Sequence, residues 1–160
     1  IVIVADGGQR PNGMMTGYLN DEEATRRLWD GDIFHTCDLG SRDADGFLFY
    51  QGRNDSIIKT KGYRVSPVEI EDALSLHPAV AECLAVGEPD PDLGQKVKVY
   101  VHLNQGYAPS DALRDELMAF HNDACAGFKK IRELEFVGPL RRNPNGKVIR
   151  GQFAKTPTKI

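Results

Sequence analysis

Apolar and polar positions change period several times along this chain, and each change marks an element. Residues 1–4 are a run of Ile and Val, the pattern of a short strand. Asn20-Asp21-Glu22-Glu23 reads as a cap plus a capping-box acid that opens a helix through about Leu28. Asp45-Gly46 is a strong hairpin turn between polar residues 41–44 and the apolar run Phe47-Leu48-Phe49-Tyr50, which is expected to form hairpin core. Ile57-Ile58 and residues 63–65 form a second pair of strands around Gly62. Ser66-Pro67-Val68-Glu69 is a capping box with proline at the first helical position, and Ile70, Ala73 and Leu74 give the helix its apolar face before His77-Pro78 ends it. Residues 79–86 are apolar on both faces except at Glu82, as in a covered central strand. In the next strand Val97, Val99, Val101 and Leu103 alternate with Lys96, Lys98, Tyr100 and His102, giving one buried and one wetter face. A helix capped by Ser110 then sets Leu113, Leu117, Phe120 and Ala124 at helical spacing. A last strand covers about 133–137, and Asn143-Pro144-Asn145-Gly146 is a turn.

These elements fall into two groups. A strand, one short helix and a hairpin over residues 1–52 are too few to bury one another, because units of about fifty residues seldom sustain a core alone. That segment is expected to be the β-rich C-terminal end of a larger domain. Residues 53–160 read as self-sufficient: an α+β fold with a β-hairpin and a small, about three-stranded sheet packed with two or three helices. Charge divides at the same place. Residues 1–52 carry 4 Lys or Arg against 9 Asp or Glu, a net −5, whereas 53–160 carry 16 against 14, a net +2.

Because the second part is only mildly basic, its cations matter through clustering: Lys59, Lys61 and Arg64; Lys129, Lys130 and Arg132; Arg141, Arg142, Lys147 and Arg150. Such clusters suit a phosphorylated small molecule, while a nucleic acid calls for a much more basic domain. No apolar run approaches the ~20 residues of a membrane span, and the first residues lack the basic lead of a signal peptide. Cys37, Cys83 and Cys125 are odd in number and far apart, so no disulfide framework or CxxC metal site is indicated and a cytoplasmic setting is expected.

Candidate chemistry is concentrated in two stretches, GRNDSIIKTKGYRVSPVEIE at 52–71 and NPNGKVIR at 143–150. Gly62 sits between two strands, where glycine marks either the turn itself or close backbone approach by a ligand. Arg53 and Asp55 bracket Asn54 at the boundary between the two parts, and an arginine there can fork onto hydroxyl or phosphate oxygens. Lys147 follows Gly146 in a turn that can carry its charge away from its own domain. His35-Thr36-Cys37-Asp38 lacks the second ligand pair that zinc requires, so no metal site is expected. His77 and His121, with no acid partner at meaningful spacing, read as structural, and Cys83 and Cys125 as packing residues.

HTCDLGSRDADGFLFYQGRNDSIIKTKGYRVSPVEIE, at 35–71, resembles the junction region of the adenylate-forming superfamily, which includes acyl- and aryl-CoA synthetases, peptide-synthetase adenylation domains and beetle luciferases. The family's pattern is approximately TGDL, then DGxxxxxGRxDxxIKxxGxRVxPxEIE, then PxNxxGKxxR; upstream, Met14-Met15-Thr16-Gly17-Tyr18 and Glu23-Ala24-Thr25 are similar to its GYxxxPEAT segment. The resemblance implies the end of a large adenylation domain at 1–52 and a C-terminal lid at 53–160, with the hinge near 53–55. It implies that Asp38 and Arg53 contact the ribose of ATP, that Asp55 is the hinge, and that Lys147 bridges the α-phosphate and the substrate carboxylate. After rotation of the lid, Lys59, Gly62 and Tyr63 face the active site, with Gly62 beside the pantetheine tunnel.

The implied partners are a carboxylic acid, ATP, CoA and the missing N-terminal domain, with Mg²⁺ accompanying ATP and no ligand for it nameable in this chain. Residues 126–137 look more like acyl- or aryl-CoA synthetases than carrier-protein-loading domains. Cys37 departs from the family's glycine in TGDL, Ile131 and Arg141 from common prolines. No phosphate-binding loop and no YGxTE-like segment is present, so the chain alone is expected to be inactive. The expected activity is therefore that of a lid in an AMP-forming carboxylate–CoA ligase. The alternatives are a carrier-protein-loading domain and a non-catalytic binding module with the lid fold.

Overall fold

Short-range sequence rules account for most of the first of two units in the computed structural model, Ile1–Asp55 and Ser56–Ile160, which describes residues 1–5, 7 and 10–153. Strand β1 (Val2–Val4) pairs antiparallel with β3 (Ile33–His35), which also pairs with β2 (Trp29–Asp30), in the order β1-β3-β2. Helix α1 (Glu22–Leu28) begins at Asp21, whose carboxylate accepts from the Ala24 amide at 2.8 Å. Asn20 is therefore not the cap. It adopts φ 57°, a left-handed turn conformation that asparagine tolerates.

Strands β4 (Asp38–Arg42) and β5 (Leu48–Arg53) form a separate two-stranded ribbon across the Asp45-Gly46 turn. Trp29 is buried, its ring against Phe34 and under the Arg10 guanidinium, and it is the unit's main packing residue. The expectation that Phe47–Tyr50 forms hairpin core does not hold. These side chains are 54–73% exposed, because a two-stranded ribbon offers no second layer among the described residues to cover them.

The second unit is built around one five-stranded sheet. Strand β9 (Gly94–Leu103) lies at its centre, antiparallel to β8 (Val80–Asp90) on one side and parallel to β10 (Ile131–Phe136) on the other. The hairpin β6 (Ile58–Thr60) and β7 (Tyr63–Val65) joins that sheet through the pair Thr60–Gly94, so hairpin and sheet are continuous. Helix α2 (Pro67–Ser75) starts at Ser66, whose hydroxyl accepts from the Glu69 amide, and α3 (Asp111–Asn122) starts at Ser110, whose hydroxyl accepts from the Leu113 amide. Ile58, Val65, Ile70, Leu74, Val97, Val99, Val101, Leu117 and Ile131 are essentially inaccessible and make the core between helices and sheet.

Three corrections follow from this architecture. Residues 79–86 fall on an edge strand, not a central one: both faces are covered, but among the described residues β8 pairs only with β9. The Lys98 face of β9 is not wet. Lys98 is 7% exposed, held by Glu133 at 2.7 Å and Glu135 at 2.9 Å, and Tyr100 packs with Leu84, Val86 and Leu140 as a second cluster. On α3 the buried third position is His121, while Phe120 is 44% exposed, since the register that buries Leu113 and Leu117 turns residue 121 inward.

Candidate functional site

The ribbon of the first unit places Asp38 and Arg53 opposite each other as a cross-strand pair. Arg53 Nη1 lies 3.8 Å from Asp38 Oδ1, and its Nε and Nη2 donate to the Asp55 carboxylate at 3.2 and 3.3 Å. The hydrogen bonds that the Asp55 carboxylate accepts raise the guanidinium above its ordinary pKa, with Asp38 adding to it, so Arg53 is a fixed cation presented between two carboxylates. Asp38, Arg53 and Asp55, separate in sequence, thus come together. Just before them, Cys37 has φ 63°, a left-handed backbone that glycine adopts without strain, which accounts for the glycine of the family pattern at this position.

In the second unit, Lys61 and Gly62 form the two-residue loop of the β6–β7 hairpin, with φ 47° and 81°, closed by the pair Thr60–Tyr63. Two successive positive φ values define the turn that matches the right-handed twist of the strands. A Cβ on Gly62 would meet nothing within 4 Å, so within this unit the glycine is required by its backbone angle and not by crowding. Tyr63 is half-exposed and stacks on Phe128, ring centroids 4.3 Å apart and planes 10° from parallel. Beside this stack is a cleft of about 340 Å³ lined by Thr60, Lys61, Tyr63, Phe128, Lys130 and Arg132 among others, with three cations and no carboxylate in its wall. Lys59 is exposed on the same hairpin, and its amide donates to the Gln95 side chain at 2.7 Å.

Lys147 closes a turn fixed by its own backbone. Asn143 Oδ1 accepts from the Asn145 amide at 3.0 Å and the Lys147 amide at 2.9 Å, the Asn143 amide donates to the Lys147 carbonyl at 2.8 Å, and Gly146 has φ 79°. The Lys147 side chain is exposed, and its ammonium group has no ion pair or hydrogen bond among the described residues. It is not part of the Tyr63–Phe128 cleft wall.

The flanking arginines were legible only as members of a basic cluster. Arg142 is bonded to Glu82 and donates to the Gly146 carbonyl at 3.0 Å. Arg150 forks onto Glu71 with two bonds of 2.8 Å.

The remaining candidates resolve into structure. His77 does have an acid partner: its Nδ1 accepts from the Ala79 amide, so Nε2 carries the proton and donates to Glu116 at 3.3 Å. Packed edge-on against Phe120, it is a joint between helix ends. Burial pushes the Cys83 thiol up to about 12 and raises that of Cys125, which suits packing and disfavours a thiolate. No group of three or more His, Cys, Asp or Glu is arranged to hold a metal among the described residues, and no described helix is long and apolar enough to cross a membrane.

Residues 69–147 match the family described as AMP-binding enzyme C-terminal domain. The chain is 38% identical over 151 residues to the human mitochondrial acyl-coenzyme A synthetase ACSM1, covering 93% of this chain and 26% of that protein. It is also 38% identical over 146 residues to 4-hydroxybutyrate–CoA ligase 1 of Metallosphaera sedula, covering 91% of this chain and 26% of the relative. The structure superposes on the anthranilate CoA ligase AuaEII in complex with anthranoyl-AMP with a TM-score of 0.83 at 31% identity, over 96% of this chain and 32% of that one. The chain spans about a quarter of the length of the curated relatives it matches.

Proposed function

The chain belongs to the AMP-binding enzymes, carrying their C-terminal domain at residues 69–147, and from that premise we propose that it is the moving lid of an AMP-forming acid–thiol ligase of the acyl- or aryl-CoA synthetase type. The observation that carries the reading is Lys147: an exposed cation at the end of a fixed turn, with no partner among the described residues. A solvated ammonium contributes little, since two unit charges about 4 Å apart interact by ~1 kcal/mol in water; enclosed at an effective dielectric of 20 the figure is ~4. Lys147 therefore gains a role when a second body closes over it.

In that closed state Lys147 lies between the α-phosphate of ATP and the carboxylate of the acid. Attack of the carboxylate on phosphorus crowds negative charge between two anions, so the cation stabilises the transition state more than the ground state. Asp38 accepts from the ribose hydroxyls, while Arg53, already aligned by Asp38 and Asp55, donates to the same sugar. Once pyrophosphate leaves, rotation about Asp55 withdraws Lys147 and brings Lys59, Gly62 and Tyr63 to the pocket, opening a route for the CoA thiol beside Gly62. Mg²⁺ travels with the ATP phosphates; the described residues offer no cluster to hold it, and none of these steps is assigned to it. A cytoplasmic setting is part of the proposal, supported by three free thiols.

Replacing Lys147 by Ala in the full-length enzyme is expected to slow acyl-adenylate formation by about 10²- to 10³-fold while sparing thioester formation from supplied acyl-adenylate. Equal loss in both half-reactions would refute the lid role. Comparing free CoA with a carrier-protein thiol as acceptor separates a CoA ligase from a carrier-loading enzyme, and CoA-dependent AMP release across a panel of carboxylic acids identifies the substrate class. Absence of AMP release with any acid would favour a non-catalytic binding module.

A further inference from the structure

We propose that Arg142 and Arg150 are positioning residues that aim Lys147, by fastening both ends of its turn to the body of the lid through Glu82 and Glu71; this rests on the catalytic role proposed above for Lys147. The segment that carries Lys147 has a small apolar anchor. Leu140 is buried, and Val148 and Phe153 are only partly so, against Leu84, Val86 and Tyr100. Apolar contacts of this kind are non-directional and leave the orientation of a surface turn loosely set. The directional contacts lie on either side of the lysine.

On the leading side, the Arg142 guanidinium spans two groups: Nη2 bonds Glu82 Oε1 on β8, and Nη1 donates to the carbonyl of Gly146, the residue next to Lys147. Glu82 Oε2 also accepts from the Leu140 amide at 3.4 Å, so one carboxylate grips the segment twice. A β-bulge between Val80 and Glu82 falls where this carboxylate must be aimed at the segment. On the trailing side, Arg150 pairs with both oxygens of Glu71 on α2, and its Nη1 reaches the Ala85 carbonyl at 3.3 Å. Glu71 Oε1 in turn accepts from the Ala85 amide at 2.8 Å. The unpaired edge of β8 at Ala85 is thereby closed by the same fork that holds the Lys147 segment.

Both contacts require a planar, multi-donor cation, since a lysine ammonium cannot bridge a carboxylate and a carbonyl in the fixed geometry of Arg142. The chemical demand matches. A cation that acts between two anions must be delivered within about 1 Å, because a misplacement of that size can cost on the order of 10²-fold in rate. Lys147 reaches its target along a flexible stem, so the base of that stem is where precision can be built.

The test uses the full-length enzyme with Arg142→Met, Glu82→Gln and Arg150→Met, each alone and combined with Lys147→Ala. Pyrophosphate release from ATP and acid reports the first half-reaction, and thioester formation from synthetic acyl-adenylate and CoA reports the second. The expected result is a loss of about 10- to 100-fold in kcat for adenylation, KM for ATP within about twofold, an unchanged second half-reaction, and no further loss when Lys147 is already Ala. Losses that add to that of Lys147→Ala, that fall equally on both half-reactions, or that stay within about twofold overturn the proposal. If Lys147→Ala is itself harmless to adenylation, the role of Lys147 is wrong and the clamp falls with it. If Lys147→Ala is disabled but Arg142→Met and Glu82→Gln are not, only the clamp is wrong. Should Arg150→Met fail to fold, the more exposed fork at Arg142 carries the decision.

Discussion

Substituting Gly62 separates what its backbone requires from what a ligand would require. At φ 81°, an L-residue pays for a left-handed conformation, about 1–2 kcal/mol, and recovers about 0.4–1 kcal/mol from the stiffer unfolded chain. A Cβ there meets nothing within 4 Å, so no packing term is added. At the middle of those ranges Gly62→Ala should therefore destabilise the second unit by about 0.8 kcal/mol, a fall of several degrees in the Tm of a domain near 100 residues. Gly62→Leu bears the same backbone cost, and its side chain projects into open space, so its Tm should fall by the same few degrees. The two variants part company in activity. If residue 62 borders the route of the CoA thiol, the leucine blocks thioester formation from supplied acyl-adenylate by more than about 10²-fold, whereas alanine slows it only a few-fold, and adenylation is spared in both. Thermal unfolding alongside the two half-reaction assays decides the matter. Equal thioester rates for the two variants would refute the placement of Gly62, and an Ala variant as stable as the parent would refute the strain argument.

Two further outcomes are expected. Hydrogen bonds from Lys96 and then Lys98 hold Glu133 down to about 2, and Arg142 lowers Glu82, so both folded values lie below the ordinary carboxylate value. The Glu133 contribution is then complete above about 4.5 and drains away as the pH falls toward about 2, and that of Glu82 is lost in the same direction; hydrogen exchange of the β9 and β10 amides should accelerate through the Glu133 window, and Glu133→Gln should flatten the dependence. Cys37→Gly should relieve left-handed strain and stabilise the first unit by about 0.5–1 kcal/mol, seen as slower exchange at residues 36–39. Faster exchange there would show that the cysteine side chain holds the loop.

How much of this was readable in advance depended on whether the controlling contact was local. Caps at Ser66 and Ser110, the Asp45-Gly46 turn and the alternation of β9 rest on neighbours a few residues apart, and they stand as the sequence pattern indicates. Alternation marks Lys98 as outward-facing, while its burial comes from Glu133 and Glu135, brought alongside by the parallel pairing of β10 with β9. The acid partner of His77 is invisible to local spacing because Glu116 lies 39 residues away. The same blindness hid the pairs Glu82–Arg142 and Glu71–Arg150, separated by 60 and 79 residues. Sequence marks Arg53, Asp55, Gly62 and Lys147 as candidates by type and position, and Asp38 through the family resemblance; it does not show what holds them.

The arrangement within the second unit bears on why such a domain would need to turn at all. Alternation along β9 sends Val97, Val99 and Val101 to the helix-covered core and Lys98 and Tyr100 to the opposite face. Phe128, on which Tyr63 stacks, packs against the first of these clusters. The segment carrying Lys147 is anchored through Leu140, Val148 and Phe153 to the second. The two candidate groups thus grow from opposite faces of one sheet, whose strands and helices are joined by an essentially dry core. Close-packed interiors of this kind move as bodies and do not bend. Under the proposed function, a single binding pocket cannot meet both groups in one pose of a rigid body, and the proposed hinge outside the core would supply the rotation. Under the proposed function, that geometry divides the reaction in time: the face with Lys147 serves the step that concentrates charge at phosphorus, and the edge with Gly62 and Tyr63 serves the step that admits a thiol.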